Sequence, residues 1–246
     1  PPRSTPKPSS AASDVYKRQP LLVRWPKGIS AGRRVNDFVS IMDVGPTVLE
    51  LVGSKPLVRM DGRSFLPQLL SKKSGWVDAE RDSVIIGRER HYYNARPGNL
   101  PYPMRAVRTP DHLYIRNFKP QRWPMGNPYN LTNKKTPDYN VLENNTFITF
   151  GDLDASPTKA WIIERRKDDK WKWYYDYAFA KRPREELYHL ESDPDQIKNL
   201  AKEKKYLPIK KKLNRQLMNR LKKLRDTRVL GDGTTLDKSP YVVDLI

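Results

Sequence analysis

The sequence predicts a fold that mixes β-strands with α-helices, and three stretches of the chain carry this prediction. Residues 84–87 form a β-branched apolar run closed by glycine, which is typical of a strand buried on both faces. Residues 104–118 alternate apolar and polar side chains around a Thr-Pro-Asp turn, which indicates a β-hairpin. Residues 206–224 place leucines on one helical face and lysines on the other, which predicts an amphipathic helix.

Residues 1–19 resemble the translation of a sequencing adapter rather than a protein segment. We therefore set them aside and expect the natural sequence to start near Pro20, in a chain cut on its N-terminal side. These 19 residues carry +3 of the formal net charge of +19, which leaves +16 on the remainder.

The composition bounds the possible partners. A charge of this size favours polyanions such as nucleic acid, anionic lipid, or a sulfated or phosphorylated polymer, without choosing between them. The chain has no cysteine, which excludes disulfides and cysteine-based zinc sites within it. No apolar run approaches the roughly 20 residues of a membrane-spanning helix.

The first part of the chain predicts a strand followed by a helix. Residues 20–25 form a short apolar run that ends at a Pro-Lys-Gly turn, as a central strand leaving a sheet would. Residues 35–53 have helical spacing, and Pro46 favours a start at that proline, in the first turn. Asp43 would then lie before the helix, where the helix dipole favours a carboxylate, rather than act as a ligand.

The middle of the chain predicts a short helix and a long irregular segment. Residues 65–70 read as the helix, residues 71–75 as a linker, and we expect a domain boundary within residues 71–81. Residues 120–139 lack periodic patterns, and loops of that length are usually functional or mobile.

The last part predicts further helices and one strand. A Ser-Pro pair predicts a helix from residue 157 to Glu164. The aromatic residues within 161–179 indicate a helix face docked on the sheet, although interleaved lysines would also suit stacking on sugars or bases. Residues 186–190 predict a strand, and the Ser-Asp-Pro-Asp turn after them predicts a short helix that contains residues 199–201. The lysines of the final amphipathic helix fit a solvated face better than a polymer track.

The candidate site follows the strand at residues 84–87. Arg88, Glu89 and His91 come directly after it, at a scaffold edge where polar groups are presented to ligands. The loop that follows is rich in tyrosine and proline, and Arg105 would project from the hairpin near it. The alternative is a solvated cluster of mutually paired charges.

Several kinds of catalytic chemistry are absent from the sequence. Its three histidines are scattered, and no glycine-rich phosphate loop or Gly-x-Ser-x-Gly nucleophile elbow occurs. Asp152 and Asp154 alternate on one segment, a weak indication of a cation site. We therefore assign no catalytic and no metal-binding residue in this chain.

Three runs, residues 20–53, 61–70 and 184–201, together resemble the C-terminal half of a type I sulfatase. The shared features are the strand, the Asp-x-x-Pro-Thr helix start, the Asp-Gly-Arg-Ser turn and the Glu-Leu-Tyr-x-Leu-x-x-Asp-Pro run, in that order. The resemblance covers residues 20–205. Residues 102–118 and the Gly-Arg-Glu-Arg-His loop before them most resemble the heparan N-sulfatases, the N-sulfoglucosamine sulfohydrolases.

The resemblance implies an α/β fold of the alkaline phosphatase superfamily. In that sulfatase fold a large mixed-sheet domain carries the catalytic site, and a smaller C-terminal domain packs an antiparallel sheet against a helix. Residues 20–75 would be the C-terminal end of the large domain and residues 76–246 the smaller domain. The family uses formylglycine and a calcium ion, and neither the formylglycine motif nor the Asp-Asn calcium ligands occur here, so no residue of this chain is expected to bind these cofactors.

The resemblance also implies a function, with a sulfated saccharide as substrate. Arg88, Glu89, His91 and Arg105 would line the sugar side of the cleft, where arginine can pair with sulfate or carboxylate. We expect neither nucleic acid nor a membrane as a partner. We expect a periplasmic or secreted location. The alternative is a basic module that binds polyanions, such as glycosaminoglycan or nucleic acid, with no chemistry of its own.

Overall fold

The computed structural model describes residues 20–55 and 58–240, so the adapter-like residues 1–19 lie outside the described part. The strands are β1 (Val84–Arg88), β2 (Met104–Arg108), β3 (His112–Asn117) and β4 (Glu185–His189). The helices are α1 (Val44–Leu51), α2 (Leu66–Leu70), α3 (Tyr139–Asn144), α4 (Pro157–Glu164), α5 (Lys172–Phe179), α6 (Leu207–Lys223) and α7 (Thr235–Lys238). None of these helices is both long enough and apolar enough to cross a bilayer.

The four strands form one antiparallel sheet in the order β1-β2-β3-β4. The predicted hairpin is confirmed as β2 and β3, and the predicted strand at residues 186–190 is confirmed as β4. The expectation that β1 is buried on both faces is wrong, because its residues are half-buried or exposed. β1 lies at the edge of the sheet, where, of the described strands, it pairs with β2 alone.

The long helix α6 covers one face of this sheet. Its Leu213, Leu217 and Leu221 are buried against Val107 of β2 and Leu187 of β4. Burying each such side chain contributes about 1.5–3 kcal/mol relative to leaving it exposed. The amphipathic helix is therefore confirmed, and the antiparallel sheet with a packed helix matches the smaller domain that the sulfatase resemblance implies.

Helices α3, α4 and α5 build a second core around Phe150. Its buried residues contain none from the four strands, so the expectation that the aromatic stretch docks on the sheet is wrong. Phe179 of α5 stacks on Phe150 with ring centroids 4.3 Å apart. The start of α4 is confirmed, since the Ser156 hydroxyl accepts a hydrogen bond from the Lys159 backbone N–H and Pro157 occupies the first turn.

The N-terminal part departs from the sequence prediction at residues 20–25. They do not form a strand, because none of the described strands pairs with them. The helix start near Pro46 is confirmed, with α1 beginning at Val44 after a 3₁₀ turn. Asp43 is buried and accepts hydrogen bonds from the Ser40 and Arg63 backbone N–H groups and from Arg81, so its structural role is confirmed.

The segment between the two predicted domains contacts the N-terminal part. Gly75 forms a bridge with Val35, and the Asp37 carboxylate accepts hydrogen bonds from the backbone N–H groups of Val77 and Asp78. Residues 75–81 are therefore bonded to the preceding part of the chain. The bounds of the two domains stay a prediction.

The predicted helix around residues 199–201 is wrong. The Asp193 carboxylate accepts hydrogen bonds from the backbone N–H groups of Ile197 and Lys198, and the Asn199 side-chain oxygen accepts from Leu187 and Ala201. These side-chain bonds offer the backbone an alternative to helix formation.

Candidate functional site

A buried carboxylate beside the end of β1 organises the candidate site. The Asp152 Oδ2 atom lies 2.6 Å from Arg96 Nη2 and 3.1 Å from Arg88 Nη2, while Oδ1 accepts a hydrogen bond of 3.0 Å from the Tyr92 backbone N–H. The Asp152 side chain is fully buried. A buried charge requires such partners, because its desolvation is otherwise uncompensated.

This geometry does not fit the cation site that the alternation of Asp152 and Asp154 suggested. Two guanidinium groups already neutralise Asp152. Within residues 20–55 and 58–240, no three or more histidine, aspartate or glutamate side chains are grouped so as to hold a metal ion.

Lys159 of α4 fixes the loop that carries Asp152. Its buried ammonium donates hydrogen bonds to the backbone carbonyls of Thr146, Phe150 and Leu153 at 3.0, 3.2 and 2.7 Å. Burial lowers the pKa of Lys159 to about 8. Phe150 adopts φ of 48°, a conformation that costs a non-glycine residue of order 1–3 kcal/mol and requires support from its surroundings. The lysine and the aromatic core supply that support.

A cleft with a volume of about 470 Å³ opens next to this cluster. Its lining residues are Tyr92, Tyr93, Asn94, Arg96, Pro97, Tyr129, Phe147 and Gly151. The rings of Tyr92 and Phe147 lie 4.7 Å apart at 40°, and about half of each side chain is exposed. Exposed aromatic faces of this kind present a flat apolar surface with a polar rim.

The Asp152 cluster carries one unbalanced positive charge. Arg88 and Arg96 supply two cations against one carboxylate, and the Arg88 side chain is 30% exposed whereas that of Arg96 is 2% exposed. His91 is exposed, and its Nδ1 atom lies 3.2 Å from the Asp152 backbone oxygen, to which it can donate. The cluster thus has a partly exposed arginine and an exposed histidine, and it reaches the aromatic cleft through Arg96.

The other two predicted site residues belong to a second cluster, centred on Glu89. Arg105 Nη2 lies 2.7 Å from Glu89 Oε1, and Arg105 Nε lies 2.6 Å from Asp226 Oδ2. Arg228 also binds Glu89, at 2.6 Å, and Asp237 at 2.8 Å.

Arg122 completes the Glu89 cluster. Its Nη2 atom lies 2.5 Å from Asp237 Oδ2. Burial alone would raise the pKa of Asp237, but the hydrogen bonds from Arg122 and Arg228 outweigh it and lower the pKa. With three arginines and three carboxylates, this cluster is electrically balanced.

The structure therefore separates the four predicted residues into two pairs. Arg88 and His91 contact Asp152, which also binds Arg96 of the cleft lining, whereas Glu89 and Arg105 lie in the balanced ion network. Substrate binding by these residues stays a prediction. Sequence reasoning missed Asp152 and Phe147 as partners of the loop, because they lie more than 50 residues away and no local pattern links them.

Comparisons with known proteins bear on this site. A family model described as the C-terminal part of N-sulphoglucosamine sulphohydrolase matches residues 13–148. An ulvan-active sulfatase of Formosa agariphila is 31% identical over 209 residues, covering 85% of this chain and 34% of the relative. The human N-sulphoglucosamine sulphohydrolase is 26% identical over 210 residues, covering 81% of this chain and 35% of the relative. The chain spans about a third of the length of these relatives.

Among solved structures, BT4656 in complex with its substrate D-glucosamine-2-N,6-O-disulfate is similar to this chain. The TM-score is 0.49 and the sequence identity 17%, over 88% of this chain and 29% of that one. At this TM-score the likeness carries no weight for fold or function.

Proposed function

Because this chain belongs to the family of N-sulphoglucosamine sulphohydrolase C-terminal regions, as the sequence resemblance predicted, we propose that the protein containing it is a sulfatase. That enzyme would hydrolyse sulfate esters or N-sulfo groups of sulfated glycans. Within that enzyme, this chain would bind the saccharide.

The unbalanced charge at Arg88 carries the proposal. A sulfate or N-sulfo group is a compact anion with several acceptor oxygens, and a guanidinium can donate two parallel hydrogen bonds to it. The Arg88 side chain is 30% exposed and belongs to a net positive cluster, and that cluster reaches the aromatic cleft through Arg96. Arg105 lacks this excess, because Glu89 and Asp226 already balance it.

The cleavage chemistry would come from outside this chain. Calcium and formylglycine are proposed for the complete enzyme on family grounds alone. The described acidic residues do not fit a calcium site, since no three of them are arranged so as to hold a metal ion, and Asp43 and Asp152 are held by arginines. We also propose a periplasmic or secreted location for the complete enzyme.

The favoured substrate is a glycan with N-sulfoglucosamine, and the competing one is an O-sulfated sugar. The relatives suggest both, since one is named for N-sulfoglucosamine and another for ulvan. Sulfate release by the complete enzyme from N-sulfoglucosamine and from an ulvan oligosaccharide measures the preference. Release from neither would overturn the proposed hydrolase and leave a basic module that binds polyanions without chemistry.

The variant Arg88→Ala in the complete enzyme tests the role of this chain. We expect KM for the sulfated sugar to rise at least about tenfold, which corresponds to about 1.4 kcal/mol, the low end of a charge-assisted hydrogen bond. Arg59→Ala is the matched control, because Arg59 forms an exposed ion pair with Asp61. Equal KM values in both variants would remove Arg88 from the saccharide site.

A further inference from the structure

The outward face of α6 is strongly basic. Between Leu207 and Lys223 the helix carries seven cationic side chains and no acidic one. These are Lys210, Lys211, Lys212, Arg215, Arg220, Lys222 and Lys223. All except Lys210 are exposed, and none of the exposed six forms an ion pair with another described residue. Lys204, Lys205 and Arg225 extend the exposed basic surface beyond both ends of the helix.

Packing of the helix does not account for this charge. Leu213, Leu217 and Leu221 already fix the orientation of α6 on the sheet, so any polar residues would serve on the other face. Solvated helices usually mix both signs in i,i+4 pairs, whereas like charges at that spacing, such as Lys211 and Arg215, are destabilising.

The helix dipole accounts for part of the charge only. Cations in the last turn, such as Lys222 and Lys223, are favoured there. Lys204 and Lys205 lie immediately before the helix N-terminus, where the dipole disfavours cations. The basic face therefore extends against the local electrostatic preference of the helix.

Acidic side chains close to the helix are committed elsewhere. Glu185 accepts from Tyr114 and pairs with Lys210 on the inner side of the helix. Glu203 pairs with Lys198, and Asp226 pairs with Arg105. The six exposed cations thus keep their charge available to a ligand from solution.

We infer that this outward face of α6 binds a sulfated polysaccharide chain, in addition to the saccharide cleft. The inference rests on the proposed function for the choice of polyanion. Lys211 and Lys222 are separated by 11 residues, or about 16 Å along the helix, which suits a polymer with charges repeated along it. Nucleic acid fits less well, because residues 207–223 include no aromatic side chain on which a base could stack.

Affinity for heparin, the sulfated polysaccharide used as the probe, tests the inference on the full chain. The test variant combines Lys211→Glu, Arg215→Glu and Lys222→Glu. The control variant combines Lys72→Glu, Lys73→Glu and Lys135→Glu, which are exposed residues outside α6 with the same total change in charge. Circular dichroism checks that both fold, and glutamine replacements at the three test positions serve if the glutamates unfold the helix.

We expect the α6 variant to bind heparin at least about tenfold more weakly at physiological salt, and the control variant to change less than about threefold. The slope of the logarithm of the affinity against the logarithm of the salt concentration reports the number of counterions released on binding. This number should fall by about three in the α6 variant alone. Chemically desulfated heparin should bind the unmodified chain weakly.

Three results would overturn the inference. Equal losses in the two variants would mean that only net charge matters. Equal binding of desulfated heparin would remove sulfate as the recognised group, and tighter binding of duplex DNA than of heparin would assign the face to nucleic acid. None of these measurements involves hydrolysis. If the complete enzyme were inactive but the α6 variant still bound heparin more weakly than the control variant, the proposed function would be refuted. The inference about this surface would remain valid.

Discussion

Replacing Asp152 with asparagine removes the negative charge shared by Arg88 and Arg96 while keeping the size of the side chain. The amide oxygen can still accept the hydrogen bond from the Tyr92 backbone N–H. Burial lowers the pKa of Arg96, and the attraction to Asp152 partly offsets this. In the variant, the Arg96 guanidinium would bear the desolvation without its counter-charge.

The expected loss of stability follows from the burial of both partners. The side chains of Asp152 and Arg96 are 0% and 2% exposed, and removing one member of such a pair costs about 3–5 kcal/mol. Urea unfolding measures this loss as a lower midpoint at an unchanged slope. Asp61→Asn is the control, because its exposed pair with Arg59 should contribute less than about 1 kcal/mol.

A double variant tests whether the stability lost in Asp152→Asn comes from the charge that this change leaves unpaired. The double variant with Arg96→Met should lose less stability than the sum of the single variants, since the second change removes the charge that the first left unpaired. A loss for Asp152→Asn no larger than that for Asp61→Asn would refute the reasoning. It would mean that water enters the cluster and that the net charge presented by Arg88 is not held in place by burial.

Three further outcomes can be checked by unfolding experiments. Leu217→Ala should lower the free energy of unfolding by about 2–5 kcal/mol, because the side chain is fully buried between α6 and the sheet, and a loss under 1 kcal/mol would contradict that packing. Gly126→Ala should destabilise the chain by more than about 1 kcal/mol, since Gly126 has φ of 93° and an added Cβ would lie 2.8 Å from the Gly151 backbone nitrogen; an unchanged melting temperature would show that this loop gives way. Burial lowers the pKa of Lys159 from the usual 10.5 to about 8, so between these pH values the unfolded chain holds more protons and stability should rise with pH by about 3 kcal/mol. Lys159→Met should lack this increase, and the same pH slope in both proteins would exclude Lys159 as its source.

Local signals in the sequence predicted the elements that local physics decides. The hairpin needs only its alternation and a Thr-Pro-Asp turn, and α4 needs only Ser156 and Pro157 at its start. The wrong predictions all depend on distant partners. The helix expected at residues 199–201 does not form, because the Asn199 side chain makes hydrogen bonds with the backbone of β4 instead. The aromatic helices pack on Phe150 rather than on the sheet, a choice that no spacing in the sequence encodes.

The candidate site shows the same division. The sequence identified Arg88 and His91 because they follow a strand end, which is a local signal. It could not assign their partner, because an alternating acid such as Asp152 looks the same whether it binds a cation or an arginine. Only the folded chain shows that Arg96 and Asp152, 56 residues apart, meet at 2.6 Å.

The opposite situations of Arg88 and Glu89 follow from the geometry of a strand. Arg88 is the last residue of β1, and Glu89 directly follows it and still accepts a backbone hydrogen bond from the Tyr102 N–H. Successive side chains of extended backbone point to opposite faces, so Arg88 lies towards the loop that carries Asp152 and Glu89 towards Arg105 and Arg228. One face receives two cations and a single acid, and the other receives equal numbers of both. Adjacent residues of similar polarity thus differ in what they can offer a ligand, because the balance of charge around each is set by segments that meet only in the folded chain. An anionic sugar would be attracted to the Arg88 face, while the Glu89 face holds the C-terminal segment in place through Asp226 and Asp237.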